Sequence, residues 1–277
     1  MSQLPRAFYL RDGDDRFIPT EATTSPWDPD AQHGGPPAAL AAHCIDQISG
    51  SAGSGSAGSG SAESGADGRR LARIAIEFLG AIPRRPMDAA VTVVRPGRRV
   101  QLTDATLSVD GRVVVMARAW HIATSPGSPT PTPEPPPDPV PPEQPQFYFA
   151  GLTDWGYGEA IDWRFTRGGF AESGPATVWT RLRIPFLDGE ETTGLQRALV
   201  VADAANGLSG ELPLADWWFI PPGIAVTMLR TPGGEWVQLA AHTRRAPDGI
   251  GVTAGQLADQ DGYLGEVAQP LLIAARS

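Results

Sequence analysis

The sequence predicts an α+β protein in which one unit, a helix followed by an antiparallel sheet, occurs twice. Three observations lead to this prediction. Each half of the 277-residue chain has a helix pattern followed by strand patterns, and a proline-rich segment separates the halves. An Asp-Gly hairpin turn recurs at an offset of 151 residues, at Asp110-Gly111 and Asp261-Gly262. Because 41% of the residues are hydrophobic, both units can bury a core.

The first half opens with HGGPPAALAAHCIDQISG, residues 33–50, which is typical of a helix that starts after two glycines. Pro36 and Pro37 fall in its first turn, where a missing N–H is harmless. Strand patterns follow in LARIAIEFL, DAAVTVVRPG and LSVDGRVVVMARAWHI, and the last of these holds two runs around the first Asp-Gly turn. One helix and an antiparallel meander are therefore expected.

The second half repeats this order. The segment GLQRALVVADAANGLSG, residues 194–210, predicts the helix. The segments GIAVTMLR, EWVQLAAHTRR, GVTAGQLAD and YLGEVAQPLLIAA predict the strands. The two helices end in ISG and LSG, and this match aligns His43 with Asp203. Duplication of one unit explains the agreement better than two unrelated halves.

Two segments of biased composition divide the chain. Residues 49–68 contain only Ser, Gly, Ala, Glu and Asp, so they predict a flexible insert that buries no apolar surface. Residues 125–146 hold eleven prolines and predict an extended, semi-rigid linker. The expected domains are 1–124 and 147–277.

Composition also limits the function. A formal charge of −9 argues against sequence-independent binding of nucleic acid, whose phosphates attract basic surfaces. The single cysteine, Cys44, excludes an intramolecular disulfide, and no Cys or His spacing predicts a metal site. No signal-like segment or apolar run of membrane-spanning length occurs. We therefore expect a soluble, cytoplasmic protein without a membrane span.

Three polar side chains stand out against apolar surroundings. Asp203 lies within an apolar helix pattern, Gln269 alternates with apolar residues on the last strand, and Thr227 has small and apolar neighbours. Together they could hold and polarise one water molecule. Taken singly, each has a simpler explanation. Thr227 can be an ordinary strand residue, Gln269 can cap a strand edge, and Asp203 can pair with Asn206 on the surface.

The chain resembles the acyl-CoA thioesterase family of the bacterial thioesterase II type. The segments that carry the resemblance are DPDAQHGGPPAALAAHCID, the strand region from IAIEFL to MARA, VVADAANGLSG, GIAVTMLRTPGGEW and DGYLGEVAQPLLI. They occur in the order and spacing of the family and cover most of the chain outside residues 49–68 and 125–146. The resemblance implies a double hotdog fold, in which each helix is wrapped by an antiparallel sheet.

The resemblance also implies a reaction, hydrolysis of a fatty acyl-CoA by activated water without a cofactor or metal. Carried over by motif, the residues that activate the water are Asp203, Thr227 and Gln269. The glycine-led helix start at Gly34 and Gly35 is the expected source of N–H donors for the oxyanion. The family often has glutamine where this chain has Pro36, so the shape of the acyl pocket is left open.

Two other functions stay open from the sequence. One is a protein that binds acyl thioesters without turnover. The other is a dehydratase of the same fold, which would require a histidine close to Asp203, and the sequence places His33 and His43 in the other half. His33 is interpreted as a helix cap and His43 as a core residue, while Cys44 is expected to be inert packing.

The arginines near strand ends allow two interpretations. They could meet the phosphates of coenzyme A, or they could form a solvated rim on an acidic protein. Because a hotdog sheet has edges, we also expect a homo-oligomer. The arginines concerned are Arg84, Arg85, Arg95, Arg98 and Arg99.

Overall fold

The computed structural model describes residues 4–51, 68–125, 130, 132–149, 152 and 155–276. Most of the predicted insert, residues 52–67, lies outside the described residues. Its first three residues, 49–51, continue the backbone of the first helix instead of starting a loop.

The described chain contains four α-helices and thirteen strands. In the first half they are β1 (Tyr9–Arg11), β2 (Arg16–Pro19), α1 (Gly35–Ser51), β3 (Arg69–Phe78), β4 (Met87–Arg95), β5 (Val100–Val109) and β6 (Arg112–Ala123). In the second half they are α2 (Gly156–Glu159), β7 (Ile161–Arg167), β8 (Ala176–Leu182), α3 (Gly194–Ala202), α4 (Ala205–Leu208), β9 (Trp217–Ile220), β10 (Gly223–Met228), β11 (Val237–Arg245), β12 (Ile250–Asp259) and β13 (Gly262–Ala275).

The strands form one antiparallel sheet in the order β1-β2-β4-β5-β6-β3-β10-β13-β12-β11-β8-β7, and β9 pairs with β13. Counted from the outer edge to the centre, the two halves have the same strand order. The first half runs β1, β2, β4, β5, β6, β3, and the second half runs β7, β8, β11, β12, β13, β10. The halves meet where β3 pairs with β10, with Ala75 opposite Ala225. The predicted duplication is therefore confirmed in the strand order.

One hairpin turn differs by a residue from the prediction. The turn between β5 and β6 consists of Asp110 and Gly111, as expected. The turn between β12 and β13 consists of Gln260 and Asp261, because Asp259 already pairs with Gly262. Equivalent residues of the two sheets are therefore 150 positions apart. Ala75 and Ala225, which pair where the halves meet, are also 150 positions apart.

The two long helices pack against each other on the inner face of the sheet. Glycine allows their close approach, because a Cβ on Gly35 would lie 2.0 Å from the carbonyl oxygen of Val200. Nearly all side chains of α3 are buried. The core holds many small residues on the helices and branched residues on the strands, among them Ala39, Leu40, Ile45, Ile74, Ile76, Leu199 and Val226.

The proline-rich linker does more than connect the halves. Residues 132–146 contain no helix or strand, as expected. The side-chain amide of Gln144 accepts from the N–H of Phe165 and donates to its carbonyl, and Gln146 does the same at Trp163. These amides satisfy the free backbone groups of β7, which is an edge strand of the sheet. None of the described helices is long and apolar enough to cross a membrane.

Candidate active site

Asp203 lies at a break in the helix that the sequence predicts as continuous over 194–210. The helix divides into α3 and α4, and Asp203 and Ala204 form a turn between them. The carboxyl side chain is buried, so it is not part of a surface pair with Asn206. An aspartate in this position needs hydrogen-bond donors from other elements.

Gln269 of β13 explains the break. Its Oε1 accepts the N–H of Asn206 at 3.1 Å, and its Nε2 donates to the carbonyl of Asp203 at 3.3 Å. The amide thus enters the helical hydrogen-bond ladder, which is a known cause of helix interruption. The same Nε2 donates to Oδ1 of Asp203 at 2.9 Å, so Gln269 also fixes the carboxylate. The structure brings these two predicted residues together.

Gly34 and Gly35 lie on the other side of the carboxylate, at the start of α1. The backbone N–H of Gly34 donates to Asp203, and that of Gly35 is shared between Asp203 and Nδ1 of His33, so this helix start binds a carboxylate from the other half. A Cβ on Gly34 would lie 2.6 Å from Oδ2 of Asp203, which shows why no larger residue fits. The two glycines are therefore at the site, but their amides are engaged with Asp203 and His33 and are not free for an oxyanion.

Burial changes the acidity of Asp203. Desolvation raises its pKa from 3.8 to about 7, against the opposing effect of the hydrogen bonds from Gln269, Gly34 and Gly35. A carboxylate with a pKa near neutrality can accept a proton from water and release it again within one reaction cycle.

His33 is the residue at this site whose role the sequence does not reveal. Its Nδ1 lies 3.4 Å from Oδ2 of Asp203 and accepts the N–H of Gly35 at 3.2 Å. Its ring stacks on that of Tyr157, with centroids 3.9 Å apart and planes 7° from parallel. Burial lowers the pKa of His33 to about 3, so the imidazole is neutral near pH 7.

Thr227 does not join the cluster, and its predicted place beside Asp203 is wrong. Its side chain is exposed, and on β10 it pairs with Arg73 on one side and Glu266 on the other. Strand alternation is the reason, because Val226 and Met228 fill the inner face that carries the helices. Thr227 instead lines an outer groove on the opposite face of the sheet.

Two cavities lie beside the polar cluster, and the larger of them includes Asp203. The larger, of about 420 Å³, is mainly apolar and includes Phe78, Ile82, Ile220, Pro222 and Leu272 together with Asp203. The smaller, of about 20 Å³, is walled by aromatic residues such as Phe149, Trp155 and Phe170. Both cavities include Trp27, His33 and Asn206, so these three side chains stand between them.

The arginines near strand ends are not at this site. Arg84 pairs with Glu21 at 3.4 Å and Arg85 with Asp110 at 2.6 Å. Arg95 binds the carbonyl of Val100 near the turn between β4 and β5, which also contains Arg98 and Arg99. The contacts of Arg84, Arg85 and Arg95 are those expected of a solvated rim. Binding of the coenzyme A phosphates by these arginines stays a prediction.

The remaining candidates lie elsewhere. His43 is buried and binds the side chain of Gln196 at 3.0 Å, within the interface of the two helices. Cys44 is buried beside it, and burial raises the pKa of its thiol to about 12, which leaves it unreactive. Among the described residues, no three His, Cys, Asp or Glu side chains lie close enough together to hold a metal ion.

Solved structures share this architecture over nearly the whole chain. A hotdog-fold protein from Alicyclobacillus acidocaldarius is 17% identical with a TM-score of 0.69, covering 98% of this chain and 97% of its own. A proposed thioesterase II from Thermobifida fusca is 16% identical with a TM-score of 0.68, covering 97% and 96%. A proposed thioesterase from Novosphingobium aromaticivorans is 21% identical with a TM-score of 0.62, covering 96% and 98%. At such identities the likeness shows the double hotdog fold, which confirms the predicted fold class.

Family models identify the chain more closely than these structures do. The model of the acyl-CoA thioesterase N-terminal domain matches residues 23–122, and that of the acyl-CoA thioesterase C-terminal domain matches residues 127–273. No curated protein sequence matches the chain. Because the two models together span most of the chain in the expected order, the chain belongs to the acyl-CoA thioesterase family and is a thioester hydrolase with a double hotdog fold.

Proposed function

We propose that this protein hydrolyses acyl-CoA to a free acid and coenzyme A, and that Asp203 activates the attacking water. The observation that carries the proposal is the buried carboxylate with a pKa of about 7, placed where an apolar cavity of about 420 Å³ meets a polar cluster. The apolar walls suit an acyl chain, and the cluster suits the thioester carbonyl.

Asp203 can carry out both proton transfers of the reaction. The Asp203 carboxylate takes one proton from water while the water oxygen bonds to the thioester carbon. The tetrahedral intermediate then collapses, the C–S bond breaks, and the leaving thiolate takes the proton from Asp203. No cofactor is needed for these steps.

Gln269, Gly34 and Gly35 act on this reaction through Asp203. Gln269 donates to Oδ1 and the glycine amides donate to the same carboxylate, so they fix its direction and keep its pKa from rising further. We therefore assign them as positioning residues. Thr227, exposed on the opposite face of the sheet, has no part in this mechanism.

His33 meets the criterion for a dehydratase, since its Nδ1 is 3.4 Å from Asp203. A dehydratase, however, needs a histidine that carries a proton during the reaction. His33 has a pKa of about 3 because it is buried, so it is a poor proton carrier near neutral pH. Hydrolysis therefore explains the site better.

Steady-state hydrolysis of saturated acyl-CoAs of graded chain length, with detection of the released thiol, tests the proposal. We expect turnover that depends on chain length. The matched assay for the dehydratase is addition of water to an enoyl-CoA, measured as the loss of absorbance of the conjugated double bond. Tight binding of acyl-CoA with no turnover in either assay would instead indicate a non-catalytic binding protein.

A further inference from the structure

The thioester carbonyl oxygen gains negative charge when water adds to it, and it then needs a fixed hydrogen-bond donor. The donors nearest to Asp203 are already engaged. The N–H of Gly34 donates to the Asp203 carboxylate, and the N–H of Gly35 is shared between that carboxylate and Nδ1 of His33. The amide nitrogen of Gln269 donates to the carbonyl and to Oδ1 of the same aspartate.

His33 has a free donor beside this carboxylate. Its Nδ1 accepts the N–H of Gly35 at 3.2 Å, so in the neutral ring the hydrogen is on Nε2. Within the described part of the chain, Nε2 has no hydrogen-bond partner. The ring lines the cavity that includes Asp203 and the smaller aromatic cavity, so a molecule bound in either one would contact His33.

The ring is also held in one orientation. It stacks on Tyr157 at 3.9 Å, and the hydroxyl of Tyr157 donates to the carbonyl of Val200 at 2.8 Å. A donor fixed in advance stabilises developing charge without a reorganisation cost. Because burial lowers the pKa of His33 to about 3, the ring donates a hydrogen bond near neutral pH without acting as an acid.

We propose that the Nε2–H of His33 donates to the carbonyl oxygen of the bound acyl thioester and stabilises the oxyanion. This inference rests on the proposed hydrolysis and assigns a catalytic residue to it. It also gives a reason for histidine before the two glycines, since a side chain at this position lies beside the carboxylate and lines both cavities.

Asn206 is the competing donor. Its Nδ2 donates to the carbonyl of Phe219 at 2.9 Å, which leaves one hydrogen for other partners, and the side chain lines the same cavities. That bond and the N–H bond to Gln269 tie Asn206 to the helix break, whereas His33 has no such second anchor at Nε2. The two residues are therefore compared in the same experiment.

Kinetics of His33→Phe provide the first test, because phenylalanine keeps the stack on Tyr157 and removes both nitrogens. We expect kcat to fall on the order of 100-fold with little change in KM. His33→Gln keeps an N–H near the Nε2 position and should recover part of the loss. His43→Phe, a buried histidine outside the site, is the matched control and should retain wild-type kcat.

The carbonyl stretch of a bound substrate provides the second test. In the slow variant Asp203→Asn, an acyl-CoA labelled with ¹³C at the carbonyl should show a red-shifted stretch by infrared difference spectroscopy. Adding His33→Phe should return the stretch toward its value in solution, while adding His43→Phe should not. A merely structural role of His33 would leave the stretch unchanged.

Three results would overturn the inference. One is an unchanged kcat in folded His33→Phe. Another is a carbonyl stretch that responds to Asn206→Ala and not to His33→Phe. The third is loss of the acidic limb of the pH profile in His33→Phe with the stretch intact, which would make His33 the base. Failure of the hydrolysis proposal is distinct, because wild-type protein would then turn over no acyl-CoA.

Discussion

The starts of the two long helices occupy corresponding places in the duplicated fold and satisfy their amides in different ways. Helix α3 has a capping box, in which the Thr193 hydroxyl accepts the N–H of Gln196 and the Gln196 side chain accepts the N–H of Thr193. Helix α1 begins at Gly35, and the N–H groups of Gly34 and Gly35 donate to Asp203 of the other half, that of Gly35 being shared with His33. Of these two helix starts, that of α1 therefore donates to a carboxylate and that of α3 does not.

The residues that face these helix starts differ accordingly. Asp203 faces the start of α1, while His43, its counterpart in the helix alignment, faces Gln196 at the start of α3. In the sheet, Gln269 lies opposite Thr253, and the residue offset by 150, Ala119, lies opposite Thr103. The first half thus has neither the carboxylate nor the amide that fixes it.

This difference shows how the two halves of a duplicated fold can differ in the groups that face their helix starts. The backbone supplies two similar helix starts, and the side chains decide which of them binds a carboxylate. Where the helix caps itself, the facing position holds a histidine engaged in the helix interface. Where the helix starts with glycines, an aspartate fits against the backbone, and burial raises the pKa of that aspartate to about 7.

Replacing the carboxylate of Asp203 should have the largest effect on turnover, because it removes the group that distinguishes the start of α1 from that of α3. Asp203→Asn keeps the size of the side chain and removes the charge that activates water, so turnover should fall on the order of 100-fold or more. Asp46→Asn, a carboxylate on α1 bonded to His121 at 3.0 Å, is the control and should keep full activity. Wild-type turnover in folded Asp203→Asn would make Asp203 a structural residue.

The acidity of Asp203 predicts how activity and stability depend on pH. Hydrolysis should require the ionised carboxylate, so kcat/KM should fall about tenfold per unit as pH decreases below about 7. Stability should change in the opposite sense. Because the folded-state pKa is raised, the folded protein binds more protons between pH 3.8 and about 7, and the free energy of unfolding falls as pH rises through that window.

Thermal melting of Asp203→Asn checks this linkage. Above pH 7 the wild-type protein bears the full cost of an ionised buried carboxylate, on the order of a few kcal/mol, and asparagine removes it. The variant should gain Tm relative to wild type at pH 8 and gain less at pH 5. An equal difference at both pH values would mean that the pKa of Asp203 is not raised.

Gln269→Ala should have the next largest effect. It removes the amide that bonds both the carboxylate and the backbone at the helix break, so it should lower turnover on the order of tenfold and also lower Tm. Combined with Asp203→Asn, the loss in turnover should fall well short of the product of the two single losses, because Gln269 acts through Asp203. A fully multiplicative loss would show that Gln269 acts on the substrate independently.

The sequence predicts the fold well where the patterns are long. Helix α1 and strands β3, β5, β6, β12 and β13 follow from clear periodicity. The short strands β1, β2 and β9 give little pattern, and β7 and β8 have no clean alternation of buried and exposed residues. The break at Asp203 is also hidden, because its cause is an amide from β13, distant in sequence.

For the site, the sequence predicts Asp203 and Gln269 from their polar character on apolar faces, but it misplaces Thr227. The β10–β13 register decides this point, since Thr227 lies opposite Glu266 and therefore on the outer face, while Gln269 faces inward. No pattern signals the role of His33, which depends on a stack with Tyr157 from the other half. Its position directly before the two glycines is the one available hint.

Thr227→Val tests this correction and should change very little. Because Thr227 is exposed on the outer face, turnover should stay within about twofold of wild type, a range typical of surface substitutions away from a site. The same acyl-CoA assay as for Asp203→Asn provides the comparison. A loss as large as that of Gln269→Ala would restore Thr227 to the water-activating group.

The smallest effect is expected from the insert that distinguishes the first half from the second. Residues 52–67 of the insert lie between the helix and the sheet of the first half, and they make that separation longer there than in the second half. Their Ser, Gly and Ala content gives them little apolar surface to bury. Replacing residues 52–67 with a short Gly-Ser turn should change the free energy of unfolding by less than about 1 kcal/mol, since loop closure depends weakly on length. Denaturant unfolding of both proteins measures the difference, with kcat as the control for an intact site. A larger loss of stability would mean that the insert packs on the body, and that the two halves differ in their cores as well as at their helix starts.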